Sequence, residues 1–499
     1  MTEAAPNNVV PAAADNRGRL IGGGIGLTGL ILTWVVPAPF GLEPEAWRAA
    51  GLAFLMATFW IAEVLPLAIT SLLPIVLGPA LGIANPGDVT RGYAHPLIFL
   101  FLGGFVLGLA MERWRLHERI ALFTLSTVGG TPARELAGFM LATAFLSMWV
   151  SNTATAIMML PIVLSVVKFK GASAATEGNP YAVALLLGVA YAASIGGIAT
   201  LIGTPPNALL AAYLSDQHEM NIGFAQWMVI GLPVSAIMLV LAWFWLSKVV
   251  ARGLTAGTDA EADVGNDGDH SVFKDRLREL GAMTTMEKRV AAVFALTALA
   301  WIFQPLLARL LPGVPITDTS IAISCAIVLH AIPSGDKAGG SLMNWATTKK
   351  LPWDVLLLFG GGLALAAIIQ SSGLAGAIAE GLQAVGGLPI LLIIGAVTVT
   401  VIFLTEVTSN TATTAAFLPL LGALALAIGL PPEALAVPAA IAASCAFMLP
   451  VATPPNAIVF GSGQLRIKQM VSAGLALNVA GIVVVSLVGT ALIQWGILG

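Results

Sequence analysis

Two apolar stretches of this chain, 137–167 and 389–428, are each too long for one membrane crossing, and each is broken near its middle by the same polar tripeptide, Ser-Asn-Thr. A helix spans the hydrocarbon core with about 20 apolar residues. The tripeptides, Ser151-Asn152-Thr153 and Ser409-Asn410-Thr411, stand 258 positions apart, and so do Gly103-Gly104 and Gly361-Gly362. A second motif, Thr204-Pro205-Pro206-Asn207, returns as Thr453-Pro454-Pro455-Asn456 at a spacing of 249, so the first half holds nine extra residues, which the polar stretch 168–179 accommodates. Self-similarity in register over this distance means that one architecture is built twice.

The basic residues say how each long stretch sits. Arg134 precedes the first and Lys168 and Lys170 follow it. If basic residues stay inside, both ends are cytoplasmic and the segment enters and turns back. Arms at 137–150 and 154–167 give about 21 Å of helix each, short of the roughly 30 Å core. That predicts a re-entrant hairpin with Ser151-Asn152-Thr153 at its tip. The second stretch has no Lys or Arg near either end, as expected of a hairpin dipping in from the outer face.

Elsewhere the 20-residue window predicts eleven crossings, near 20–37, 47–63, 66–84, 96–112, 181–203, 226–247, 288–308, 318–333, 353–370, 433–451 and 469–497. With a cytoplasmic N-terminus, Arg48, Arg91 and Arg309 fall outside and the other 20 of the 23 Lys and Arg residues fall inside. Five crossings and one hairpin per repeat is an odd count, so the halves are expected in opposite orientations, the inverted-repeat plan of secondary transporters. The expected fold class is therefore an all-α polytopic membrane protein with about 11 transmembrane helices and two re-entrant hairpins. Its parts are a disordered cytoplasmic N-terminus at 1–16, the first helix and repeat 1 at 17–253, a cytoplasmic linker at 254–286 and repeat 2 at 287–499. Repeat 1 holds the hairpin 137–167 and a broken helix at 203–207; repeat 2 holds the hairpin 389–428 and a broken helix at 452–456.

Composition agrees, with 58% hydrophobic and 10% charged residues and a mean hydropathy of +0.91. Soluble domains carry about 25% charged residues, which excludes a soluble enzyme, a nucleic-acid binder or a disordered scaffold. The first sixteen residues are mostly polar, and Arg17 and Arg19 follow, so no cleavable signal peptide is expected. Cys325 and Cys445 lie far apart in apolar runs and read as packing residues.

Polar groups at bilayer depth are costly and face the protein interior or a water-filled cavity. A turn at each hairpin tip frees backbone groups and adds hydroxyls and amides, which are hard oxygen ligands for an alkali cation and donors for an anion. Thr405 keeps a hydroxyl opposite Ser147, so two equivalent cation sites are expected. Ser, Asn and Thr also bond packed helices together, but recurrence in register argues for a site. Two consecutive prolines break each Thr-Pro-Pro-Asn helix rather than merely kink it. Half-helix N-termini then favour an anion and the preceding carbonyls a cation. None of the five histidines falls in a motif, so an enzyme lacks its acid, base or metal. Glu63 reads either as an interfacial anchor or as a structural hydrogen-bond partner, and Glu406 as a brace for the second hairpin rather than a substrate ligand. With no Lys or Arg in the motifs, a bound anion depends on neutral donors and co-bound cations.

At these motifs the chain resembles the divalent anion:sodium symporter family. The resemblance implies a homodimer in the lipid bilayer, with a transport domain that moves past a scaffold as an elevator. It also implies sodium (Na+) as the co-transported ion and C4-dicarboxylates such as succinate, malate or fumarate as cargo. By resemblance, one sodium site comprises Ser147, Ser151, Asn152 and the Gly203 carbonyl, and the other Thr405, Thr408, Asn410 and the Ala452 carbonyl. Substrate carboxylates would meet Asn152, Thr153 and Thr204 in one half and Ser409, Asn410, Thr411, Thr453 and Pro454 in the other. The expected location is the cell inner membrane. The alternatives are a sodium-independent dicarboxylate exchanger and a carrier of citrate, sulfate or another divalent anion; no nucleic-acid partner is expected.

Overall fold

The computed structural model describes residues 16–128, 131–169, 179–250, 268–335, 339–381 and 387–495. The N-terminal segment at 1–15, most of the 168–179 stretch and the 254–267 part of the linker lie outside them. The chain is helical throughout the described residues, with one isolated bridge between Pro333 and Ser341. The first half runs α1 (Asn16–Val35), α2 (Pro44–Ile61), α3 (Leu67–Thr70), α4 (Leu73–Ala80), α5 (Pro86–Arg91), α6 (Pro96–Arg113), α7 (Leu116–Val128), α8 (Pro132–Ser147), α9 (Asn152–Phe169), α10 (Pro180–Ile198), α11 (Pro205–His218) and α12 (Phe224–Trp245). After α13 (Gly268–Glu279) come α14 (Thr285–Ile302), α15 (Gln304–Leu310), α16 (Asp318–Ala331), α17 (Trp345–Thr348) and α18 (Trp353–Ser371). The chain continues through α19 (Leu374–Gly381), α20 (Ile390–Thr405), α21 (Asn410–Ala427), α22 (Glu433–Ala443), α23 (Pro454–Phe460) and α24 (Ile467–Trp495).

Among the described residues, seven helices are long and apolar enough to cross a membrane, or eight if α14 and α15, bent by 77°, count as one span. This is a multi-span, all-helical membrane protein. The count is lower than eleven because several expected crossings are not continuous long helices. The 66–84 window breaks at Ser71-Leu72, α16 has 14 residues, and α22 stops after 11. The 14-residue arms expected at the tripeptides are also longer. Thr131 caps α8 and Pro132 opens it, so this arm starts five residues before 137. Its partner α9 starts at Asn152 itself, as α21 starts at Asn410 with Ser409 as cap. With 18 residues, α21 is one of the seven span-length helices.

Burial explains which helices sit at the centre. Of the seven span-length helices among the described residues, α10 is the one whose entire apolar window is buried, and its small residues (Ala, Gly, Ser) let neighbours approach. Both α8 and α9 pack on α10, and correspondingly α20 and α21 pack on α22. The half-helix after each break crosses over: α11 packs on α21 and α23 packs on α9. That exchange interlocks the two halves, each half-helix lying on a hairpin arm of the other half. Close approach recurs too. A Cβ on Gly103 would lie 2.5 Å from the Ala322 backbone of α16, and one on Gly361 would collide with the Ser71 backbone after α3. The paired glycines mark where a helix of each half meets its neighbour with no room for a side chain.

Candidate functional site

The Ser147 hydroxyl ends α8, fully buried, 2.5 Å from Asn152 Oδ1 and 2.7 Å from the Ala193 carbonyl of α10. The same side-chain atom of Asn152 lies 3.1 Å from Ala193 O and 3.2 Å from Gly203 O. In the second half the Thr405 hydroxyl lies 2.6 Å from Asn410 Oδ1 and 3.2 Å from the Ala443 carbonyl of α22. Each set gathers oxygens around a single hydroxyl proton, which can serve only one of them. An amide meets such a set in either of two ways: nitrogen inward, donating to the oxygens, or oxygen inward around a cation. Both sets also lie where α8 and α20 end, and the carbonyl pole of a helix favours positive charge.

An added Cβ at Gly197 would sit 2.8 Å from Asn152 Oδ1 and 3.1 Å from Gly203 O, so only glycine lets this amide and carbonyl lie against the end of α10. Neutral hydroxyl, amide and carbonyl oxygens are donors for a hard cation such as sodium, which would be cargo here.

The helix breaks are tied down by their asparagines. Asn207 Nδ2 donates to the carbonyls of Gly197 (3.1 Å), Ile198 (3.3 Å) and Thr200 (2.8 Å). Asn456 Nδ2 donates to Ala446 (3.4 Å) and Leu449 (3.0 Å), the positions equivalent to 197 and 200. The last residue of Thr-Pro-Pro-Asn therefore holds the unwound carbonyls that precede the break. Thr204 and Thr453 are both buried N-caps, but they differ: the Thr453 hydroxyl accepts from Asn456 N–H at 3.3 Å, whereas the Thr204 hydroxyl makes no capping bond.

Not every predicted residue joins an oxygen set. The Ser151 hydroxyl is exposed and accepts from Ala154 N–H at 3.2 Å, capping α9. Thr408, just past the end of α20, donates to Leu404 O in its last turn (2.9 Å) and meets Thr413 Oγ1 of α21 at 2.6 Å. Ser409 caps α21 through Ala412 N–H. Thr411 is buried in the first turn of α21, Thr153 is half-buried in that of α9, and Pro454 stays exposed at the start of α23. Ala452 is buried beside Thr453, and no hydrogen bond joins it to Asn410 among those described.

Sequence reasoning missed three things. The carbonyls of Ala193 and Ala443 complete the oxygen sets, and no side-chain pattern could mark them. The asparagine clamps were legible only as part of a proline motif. Ser-Asn-Thr also places a cap and a helix start together, a signal that gives the site two more helix N-termini, those of α9 and α21.

Residues 25–499 match the family model described as the sodium:sulfate symporter transmembrane region. The sodium-dependent dicarboxylate transporter SdcS of Staphylococcus saprophyticus is 41% identical over 484 residues, covering 95% of this chain and 91% of that one. The protein of the same description from Staphylococcus aureus is 42% identical over 478 residues, covering 94% and 90%. Among solved structures, the Alcanivorax borkumensis YdaH transporter superposes with a TM-score of 0.57 at 16% identity, covering 96% of this chain and 98% of that one, a likeness of fold alone.

Proposed function

The chain belongs to the sodium:sulfate symporter family, and from that membership we propose that it is a secondary transporter that takes up C4-dicarboxylates such as succinate, malate or fumarate together with sodium. It is a transporter and not an enzyme. The observation that carries the reading is the duplicated oxygen set, Ser147–Asn152–Ala193 and Thr405–Asn410–Ala443. In this reading the first sodium also draws on Ser151 and the Gly203 carbonyl, and the second on Thr408 and the Ala452 carbonyl.

The dianion is held between the halves by Asn152, Thr153 and Thr204 on one side and Ser409, Asn410, Thr411, Thr453 and Pro454 on the other. Helices α9, α11, α21 and α23 all begin at these motifs, so their positive poles are available to carboxylates; first-turn N–H groups come from α9 and α21, because α11 and α23 each open on two prolines, which have none. No Lys or Arg stands in the motifs. Burying two negative charges without compensation is prohibitive, so the sodium ions supply the positive field and the two solutes bind together.

The proposal includes an inverted repeat of eleven crossings and two re-entrant hairpins in the cell inner membrane, with a cytoplasmic N-terminus. Long-range contacts support it by joining residues assigned to one face. On the cytoplasmic side Arg119 pairs with Glu287 at 2.7 Å, Arg113 donates to Leu342 O at 3.2 Å, and Trp243 donates to Ala133 O at 2.8 Å. On the outer side Phe224 N–H donates to Asp318 at 2.6 Å, and Thr319 donates to Pro96 O at 3.0 Å. The mutual packing of α8–α11 with α20–α23 supports their motion as one unit, an elevator within a homodimer.

The test is uptake of labelled succinate into proteoliposomes with and without an inward sodium gradient, choline replacing sodium at constant ionic strength. Sodium-driven accumulation is expected. Uptake indifferent to sodium but driven by internal dicarboxylate would replace the symporter with an exchanger, and sulfate or citrate outcompeting succinate would replace the substrate.

A further inference from the structure

The two halves of the site are not copies, and the difference is a buried charge. Glu406 follows Thr405 at the end of α20 and is 3% exposed. Its Oε1 accepts from Phe447 N–H at 2.8 Å, Met448 N–H at 2.9 Å and Asn478 Nδ2 at 2.7 Å; its Oε2 accepts from Leu449 N–H at 2.9 Å. All four partners are donors. A protonated acid would have to point its O–H at one of them, so the arrangement suits the carboxylate, an acceptor only.

The equivalent position in the first half, 258 residues earlier, is Met148. There the tip is joined to the break differently, through the Thr200 hydroxyl donating to the Met148 carbonyl at 2.5 Å. Helix lengths explain why the second half needs a carboxylate. In the first half α10 continues to Ile198, the counterpart of Phe447, and Ala199 N–H still bonds back to Gly196 O at 3.0 Å. By contrast α22 stops at Ala443, four residues sooner in that register, which strips the amides of Phe447, Met448 and Leu449 of helical partners. Unpaired buried amides are costly, and Glu406 takes all three. Asn456 holds the same loop from its carbonyl side, at Ala446 and Leu449.

A negative charge placed at the C-terminus of α20 adds to the negative pole of that helix, an unfavourable position unless a cation lies near. The cation site of the second half, built on Thr405, adjoins it in sequence. Resting on the sodium-coupled reading above, we propose that Glu406 makes the two sodium sites unequal: its carboxylate, fixed on the loop 447–449, gives the Thr405–Asn410–Ala443 set the tighter hold on sodium, while the first set, beside Met148, holds it more weakly. Glu406 acts on the cation through its field and through the loop that it positions, without touching substrate.

The test reads sodium alone, in purified full-length protein without succinate, as the rise in thermal midpoint with sodium at constant ionic strength, choline replacing it. Ser147→Ala leaves the second set intact and Thr405→Ala leaves the first. The Ser147→Ala protein should reach half-saturation at about tenfold lower sodium than the Thr405→Ala protein, as befits one nearby charge. Adding Glu406→Gln should weaken sodium about tenfold in the Ser147→Ala background and leave the Thr405→Ala background within about twofold, since only the second set feels the charge. Equal weakening in both backgrounds, or tighter sodium in Thr405→Ala than in Ser147→Ala, overturns the proposal.

If Glu406→Gln does not survive purification, Glu406→Asp decides, because it keeps the charge and shortens the reach. In the Ser147→Ala background, half-saturation within about threefold of the parent supports the charge, and a loss of about tenfold or more overturns it. A wild-type protein whose midpoint ignores sodium defeats the sodium-coupled reading itself, an outcome separate from all of these.

Discussion

Gly197→Ala tests the first cation site with a single methyl group. The new Cβ would lie 2.8 Å from Asn152 Oδ1, 3.1 Å from Asn152 Nδ2 and 3.1 Å from Gly203 O. Carbon and oxygen in ordinary contact sit at about 3.4 Å or more, so something must give by several tenths of an ångström. Little nearby can give. Gly203 O is backbone, in a segment so close to Gly197 that a Cβ on Gly203 would lie 2.5 Å from Gly197 O, and Asn152 is held by Ser147 at 2.5 Å. Overpacking of this kind costs about 1–3 kcal/mol. If that falls mainly on the sodium-bound state, half-saturating sodium for succinate binding rises by about 5- to 150-fold. The assay is equilibrium binding of labelled succinate to purified protein across sodium concentrations, paired with the thermal midpoint in choline. Gly376→Ala is the control, because a Cβ there meets nothing within 4 Å and alanine suits a helix. Wild-type sodium dependence in Gly197→Ala, with the midpoint unchanged, would refute the placement of sodium between Asn152 and Gly203.

Further outcomes follow from the same contacts. Asn152→Ala and Asn410→Ala should each abolish succinate uptake in proteoliposomes, because each amide is assigned to both a sodium ion and a carboxylate; normal uptake in either would remove that dual role. Thr204→Ala should raise half-saturating succinate more than half-saturating sodium, since its hydroxyl is free of capping duty, and a shift confined to sodium would contradict an anion role. Cysteines at the exposed Lys350 and Gly313 should label from the cytoplasm and from outside respectively with an impermeant reagent, and the reverse pattern would invert the topology. Glu287→Ala removes both the buried pair with Arg119 and the cap on Thr284 N–H, so it should destabilise by about 3 kcal/mol, read as a lower thermal midpoint with sodium affinity unchanged.

What the sequence made legible was the part of the site carried by side chains. Ser-Asn-Thr and Thr-Pro-Pro-Asn are conspicuous because polar residues and paired prolines interrupt apolar runs, and their recurrence in the same order, at spacings of 258 and 249, showed that they belong together. The partners of those motifs were hidden wherever backbone does the work. Nothing about Ala193 or Ala443 distinguishes them from other alanines of α10 and α22, yet their carbonyls face the Ser147 and Thr405 hydroxyls. Helix ends were hidden for a related reason: α22 and α10 are both apolar and small-residue-rich, so hydropathy gives no cause for α22 to stop at Ala443. The cause is tertiary, an alternative set of acceptors for the amides that a continued helix would have used. Glu406 was read as a brace for the second hairpin, but the sequence could not name the loop it holds, because three of its partners are main-chain N–H groups 41 to 43 residues away and the fourth is the Asn478 amide. A repeat read only from matching residues looks symmetric. It is the unmatched pair, Met148 and Glu406, that lets two halves of one architecture divide the work of holding cations unequally.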